Sequence, residues 1–172
     1  MKNIFLTLSV LVFSFGFSQT NVFDIARKGT LQEMETLHKT NPDAINQVNE
    51  GGNSPLILAC YKGNVEVAAF LIKNVKDINF NSPMGTALMA ATVKGNVDLV
   101  KLLLESKANI NATDGNGITA LIYAVQFQNH EMVKILVEHK ADKNIKNKEG
   151  KTAFEFAVFS GNQTIINQLK NI

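Results

Sequence analysis

The strongest constraint on this chain is a period. Ser54-Pro55-Leu56-Ile57-Leu58-Ala59 returns as Thr86-Ala87-Leu88-Met89-Ala90-Ala91, as Thr119-Ala120-Leu121-Ile122-Tyr123-Ala124 and as Thr152-Ala153-Phe154-Glu155-Phe156-Ala157. The starts lie 32, 33 and 33 residues apart (86 − 54, 119 − 86, 152 − 119). Self-similarity at that spacing marks a stack of small units rather than one globular core.

Each unit reads as a turn, a short helix, a tight connection, a second helix and a loop reaching forward to the next turn. In the unit that starts at Thr119, Ala120, Leu121, Ala124 and Val125 recur three to four apart and share one helical face. A second stripe follows at Met132, Val133, Leu136 and Val137, with counterparts read as Val97, Val100, Leu103 and Leu104 and as Val67, Ala68, Leu71 and Ile72. Two helices of about ten residues cannot bury both stripes against each other alone, so each pair has to stack on its neighbours and the core runs along the array.

The corners are written in the sequence as well. Ser or Thr opens each first helix, where its hydroxyl caps backbone N–H groups. Gly63, Gly95 and Gly161 stand between the helices, where a left-handed conformation is cheap. Gln128 replaces the fourth glycine and predicts one looser corner.

With these residues in view the chain resembles the ankyrin-repeat family, whose unit is a turn plus two helices with a Thr-Pro-Leu-His-x-Ala signature. Its later Gly-Ala-Asp-x-Asn pattern persists as Lys107-Ala108-Asn109-Ile110-Asn111 and Lys140-Ala141-Asp142-Lys143-Asn144. The resemblance implies an all-α solenoid of about five stacked helix-turn-helix units with β-turn fingers. It covers residues 21–172, divided near 21–48, 49–80, 81–112, 113–145 and 146–172.

The first unit is a degenerate copy and reads as an N-terminal cap. Ile25-Ala26-Arg27-Lys28-Gly29 aligns with Ala59-Cys60-Tyr61-Lys62-Gly63, Met34 and Leu37 fall where Ala68 and Leu71 do, and Gln32, Glu33, Glu35, His38 and Lys39 point outward. At the other end Gln163, Asn167, Gln168 and Lys170 are expected to face water. The departures from the family pattern are specific: Ile57, Met89, Ile122 and Glu155 replace its signature His, which puts that residue's cross-unit hydrogen bonds in question. The Thr86 unit is one residue short in its turn, Asn81-Ser82-Pro83-Met84-Gly85, so that finger should differ in shape.

Residues 1–18 hold one lysine followed by an apolar run from Ile4 to Phe17, with Gly16 and Ser18 at the small-residue positions of a cleavage site before Gln19. This reads as a signal peptide; the run is shorter than the roughly 20 residues of a spanning helix, so no stable membrane insertion is expected after cleavage. The expected compartment is outside the cytoplasm, periplasmic or secreted. Abundant Asn, Lys and Ile suggest an AT-rich bacterial genome. Residues 19–172 carry 16 basic and 15 acidic side chains (17 − 1 with Lys2 removed, against 15), a balance that argues against bulk electrostatic binding of nucleic acid. Cys60 is the single cysteine, so no disulfide closes within one chain, and its alignment with Ala26, Thr92, Val125 and Val158 predicts a buried, inert thiol.

No convergent catalytic set emerges. His130 and His139 open and close one helix about 13 Å apart, too far to share a metal, and each fits the helix dipole without a ligand role. Gly115-Asn116-Gly117 lies in a turn and lacks the Lys-Ser/Thr of a phosphate loop. The reading is therefore a non-enzyme without cofactor or metal.

Function is then expected on a surface that the core does not need. The column at the end of the first helices runs Arg27-Lys28, Tyr61-Lys62, Val93-Lys94, Gln126-Phe127 and Phe159-Ser160, and the turn tips add Asn53, Ile118 and Lys151. A merely solvated helix end has no need of Tyr61, Phe127 and Phe159, and aromatic and Arg side chains dominate interface energetics. The alternative for Phe127 and Phe159 is packing against the next unit. Arg27, Lys28, Lys62 and Lys94 form a basic edge that favours an acidic partner segment. The sequence thus predicts an exported, monomeric scaffold that binds another protein on its concave face; rival readings are an accessory protein that protects or assembles a periplasmic enzyme, an enzyme, and a toxin-like effector.

Overall fold

A computed structural model describes residues 21–170; the signal-peptide reading falls on residues outside these. The described chain folds into ten α-helices taken in pairs: Val22–Lys28 (α1) with Leu31–Thr40 (α2), Pro55–Lys62 (α3) with Val65–Asn74 (α4), Ala87–Val93 (α5) with Val97–Glu105 (α6), Ala120–Gln126 (α7) with His130–Glu138 (α8), and Ala153–Ser160 (α9) with Gln163–Lys170 (α10). A 3-10 turn, Pro42–Asn46, follows the first pair. First helices pack in one row, α1 on α3, α3 on α5, α5 on α7 and α7 on α9, and second helices in another, α2 on α4, α4 on α6, α6 on α8 and α8 on α10. The all-helical solenoid anticipated from the period is what forms.

The core is one ribbon shared by all pairs. Leu71, Leu103 and Leu136, one per second helix, are each fully buried. Burial of a side chain of this size is worth about 1.5–3 kcal/mol. Beside them the inward set is Val67 and Ala68, then Leu99 and Val100, then Met132 and Val133. Leu99, not Val97, is thus the third unit's inward residue: Val97 aligns with the exposed Val65, two positions before the stripe begins. The predicted register slips by two there because two apolar residues compete for one face. Ile135, absent from the predicted stripe, is also buried.

The predicted caps are in place. Ser54, Thr86, Thr119 and Thr152 hydroxyls accept the backbone N–H of Ile57, Met89, Ile122 and Glu155. Gly63, Gly95 and Gly161 adopt left-handed backbone. Gln128 does so too, at φ 52. Its N–H donates to the Val125 carbonyl at 2.9 Å and the Asn129 N–H to Ala124 at 3.0 Å, matching the bonds of Gly95 to Thr92 and Asn96 to Ala91. The looser corner anticipated there is therefore not found; closure of the two backbone bonds imposes the corner even on a residue with a Cβ. Lys107 and Lys140 likewise hold φ 65 at the glycine position of the later signature.

The terminal units depart from the alignment in other ways. Gly29 is extended (φ −80, ψ 177), not left-handed, so α1 turns into α2 through the Thr30 capping box with Glu33. Glu35 and His38 are half-buried rather than outward, and the His38 ring meets Phe70 edge-on at 5.5 Å, because α2 leans on α4. Leu37 is half-buried, and Gln168 is half-buried with its Nε2 donating to the His130 carbonyl at 3.1 Å. Val158, aligned with buried Cys60, is 53 % exposed, since no described helix pair covers the outer side of α9. Cys60 itself is fully buried, and burial pushes its thiol up to about 12.

Ile57, Met89 and Ile122, where the family signature has His, are buried apolar contacts, and Glu155 instead folds back onto its own cap at Thr152. Several cross-unit hydrogen bonds come from asparagines instead. Asn46 Oδ1 accepts the Lys76 N–H at 2.8 Å, Asn79 Oδ1 the Asn109 N–H at 2.6 Å and Asn111 Oδ1 the Asp142 N–H at 2.8 Å. Each ties an exposed loop of one unit to the loop of the next.

Candidate functional site

The fingers fix where the first helices end. In three of them an Asx side chain closes the turn: Asn49 Oδ1 accepts from Asn53, Asp114 Oδ1 from Asn116 and Ile118, and Asn147 Oδ1 from Glu149 and Lys151. Asn49, Asp114 and Asn147 N–H groups donate to carbonyls four residues on, at Asn53, Ile118 and Lys151. The short finger differs as its length requires. Ser82 and Gly85 exchange backbone bonds at 3.1 and 2.9 Å, one residue sooner, and Ser82 Oγ accepts the Met84 N–H. Gly85, at φ 104, sits so close to Met89 Sδ that a Cβ there would collide with it. This tight hairpin throws Met84 outward, 75 % exposed.

Against Met84 the ends of α3, α5 and α7 enclose a recess of about 430 Å³. Its floor is Ile57, Leu58, Met89 and Ala90, all buried, and its walls are Tyr61 at one side and Tyr123 with Phe127 at the other. The recess exists because α5 carries Ala90 where α3 has Leu58 and α7 has Tyr123, and Val93 where α3 has Tyr61. Small residues in the middle unit leave a trough between larger ones. Tyr61 is 47 % and Phe127 57 % exposed. The Tyr123 and Phe127 rings stack with centroids 6.4 Å apart, and the Tyr123 hydroxyl donates to Asp114 Oδ2 at 2.7 Å. Partial burial, followed by that bond to a carboxylate, pushes the Tyr123 phenol up to about 12.

Charge on the rim is positive. Lys62 Nζ and Lys94 Nζ lie 5.7 and 5.5 Å from the centroid of the Tyr61 ring, in cation–π range, and neither forms an ion pair among the described residues. No carboxylate lines the recess.

Of the residues anticipated from sequence, Asn53, Tyr61, Lys62, Val93 and Phe127 meet here. Lys94 stands at the rim. Arg27 pairs with Asp24 at 3.2 Å on α1, and Lys28 is exposed beside it, away from the recess. Gln126 is exposed on α7, Ile118 is half-buried in its finger, and Lys151 bridges Glu149 at 3.2 Å while lying over the Phe156 ring. Phe159 is 92 % exposed on α9, on the outer side that no described helix pair covers. Sequence reasoning missed Met84, Met89, Ala90 and Tyr123. The signal was present in the shortened turn before Thr86 and in the run of small residues in the helix after it.

His130 is exposed at the start of α8, and His139 caps its end, with Nδ1 2.8 Å from the Ile135 carbonyl. Among the described residues no cluster of His, Cys, Asp and Glu has metal-binding geometry, and no helix is long and apolar enough to cross a membrane.

A family model described as ankyrin repeats, three copies, matches residues 22–114 and again 109–171. Ankyrin repeats generally mediate protein–protein interaction and are typically non-catalytic. The capped helix pairs, their forward-reaching fingers and this match over nearly the whole described chain agree: the chain belongs to the ankyrin-repeat family.

Proposed function

We propose that this protein is a monomeric, non-catalytic scaffold, exported to the periplasm or beyond, that holds a partner protein on its concave face. The observation that carries the reading is the row of uncovered rings at the first-helix ends, Tyr61, Phe127 and Phe159, which the core does not use. Large exposed rings beside lysines on a rigid frame are the kind of surface at which binding energy concentrates. Export is supported by the sequence of residues 1–18, with its basic start, apolar run and small residues before Gln19.

Site-specific photocrosslinking tests the surface. A photoreactive residue in place of Phe127 should trap a discrete partner in the producing cell, and one in place of exposed Lys101 on α6 should not. Equal crosslinking from both positions would place the interaction elsewhere. For export, mass spectrometry of the mature protein should find Gln19 at its N-terminus; an intact Met1 in the cytoplasmic fraction would overturn that part.

A further inference from the structure

Resting on the concave-face reading, we propose that the recess between Tyr61 and Phe127 takes one bulky apolar side chain of a partner segment whose flanking residues are acidic. The recess is apolar on its floor and on both walls. An entering aliphatic or aromatic side chain would touch Ile57, Met89 and Ala90 below and a ring on either side. The middle unit's small residues, Ala90 and Val93, provide the room, and no described side chain fills it.

The shape selects a chain segment over a small molecule. Compact ligands bind where most of their surface is enclosed. Here Met84, Tyr61 and Phe127 remain about half exposed or more, so the recess is a dip in an open surface. A peptide that runs along the first-helix ends covers those rims as it passes and places one anchor in the dip.

The charge selects the flanks. Lys62 and Lys94 converge on one ring from two units, with no carboxylate partner of their own. Asp114, which holds the Tyr123 wall, is already occupied by two finger N–H groups and the Tyr123 hydroxyl. Two ammonium groups held beside an apolar dip favour a carboxylate within reach of the anchor and repel a basic segment.

Selection of random peptides displayed on phage tests this, with the full-length mature protein as bait. Enriched peptides should share a Leu, Ile, Met or aromatic residue with Asp or Glu close by. As synthetic peptides they should bind more weakly as salt rises. Lys62→Glu with Lys94→Glu, both at exposed positions, should weaken them about tenfold or more. Ala90→Trp, which fills the dip, should abolish binding; Val93→Tyr serves the same purpose if the tryptophan variant melts early. Peptides enriched without acidic flanks, or indifferent to the charge reversal, would overturn the proposal and leave concave-face binding standing. Peptides that bind Ala90→Trp and Val93→Tyr as well as wild type would sink the proposal and also place the binding surface elsewhere. Failure to enrich any peptide, together with saturable binding of the fluorescent probe anilinonaphthalene sulfonate that Ala90→Trp removes, would mark a small-molecule pocket instead.

Discussion

The phenol of Tyr123 on α7 donates to the Asp114 carboxylate at 2.7 Å, so a wall of the recess is tied to the finger in front of it. The other oxygen of Asp114 organises that finger through the Asn116 and Ile118 N–H groups. One carboxylate therefore sets both the turn and the ring orientation beside Phe127.

Tyr123→Phe should cost about 1 kcal/mol, because Asp114 loses one of three donors and keeps the others. Burial of the ring, and then this bond, give the phenol an alkaline signature. Since the folded phenol is pushed up to about 12, its contribution to stability is present below the ordinary tyrosine range near pH 10 and is lost as pH rises through 12. The chain has two tyrosines, so ultraviolet titration should show one ionising near pH 12, and Tyr123→Phe should remove that late step. A wild-type titration with both tyrosines ionised by pH 11 would contradict the assignment.

Left-handed Gln128 and Lys140 are corners held against their own Cβ. Gln128→Gly or Lys140→Gly should stabilise the protein by about 1 kcal/mol, as relief of that strain exceeds the entropy glycine adds to the unfolded chain. Denaturant midpoints measure this. A lower midpoint in both variants would mean that these side chains contribute more than the strain they impose.

Leu103 and Leu136 lie at equivalent places in the spine and are fully buried. Replacing either by alanine should cost about 2–5 kcal/mol. Val97→Ala, at the position displaced from the stripe, should cost less than Leu99→Ala. Equilibrium unfolding of the four variants would check the register, and equal losses at Val97 and Leu99 would refute it.

Much of this architecture was legible in the sequence because repetition supplies internal controls: four capped openings and three glycine corners locate four of the five helix pairs without reference to anything else. Legibility failed where a residue type and its environment part ways. Gln128 takes a glycine's conformation because two backbone bonds demand it. Val158 has the character of a core residue but lacks the neighbour that buries its counterparts. Val97 and Leu99 are both apolar, and only packing tells which one faces inward. The candidate site was half visible: protruding rings such as Tyr61 and Phe127 announce themselves by type. A recess is defined by what is small between them: Val93 was picked out by its place in the column, but Ala90 carries no chemistry that would draw notice.

On the proposed function the exposed rings serve a partner and not the spine, and the Tyr61→Ala, Phe127→Ala double variant separates the two. Thermal unfolding and partner capture from extracts of the producing cell would be measured on the same preparation. The expected result is a melting temperature close to wild type with capture largely lost. Early melting, or undiminished capture by a variant that melts normally, would contradict it.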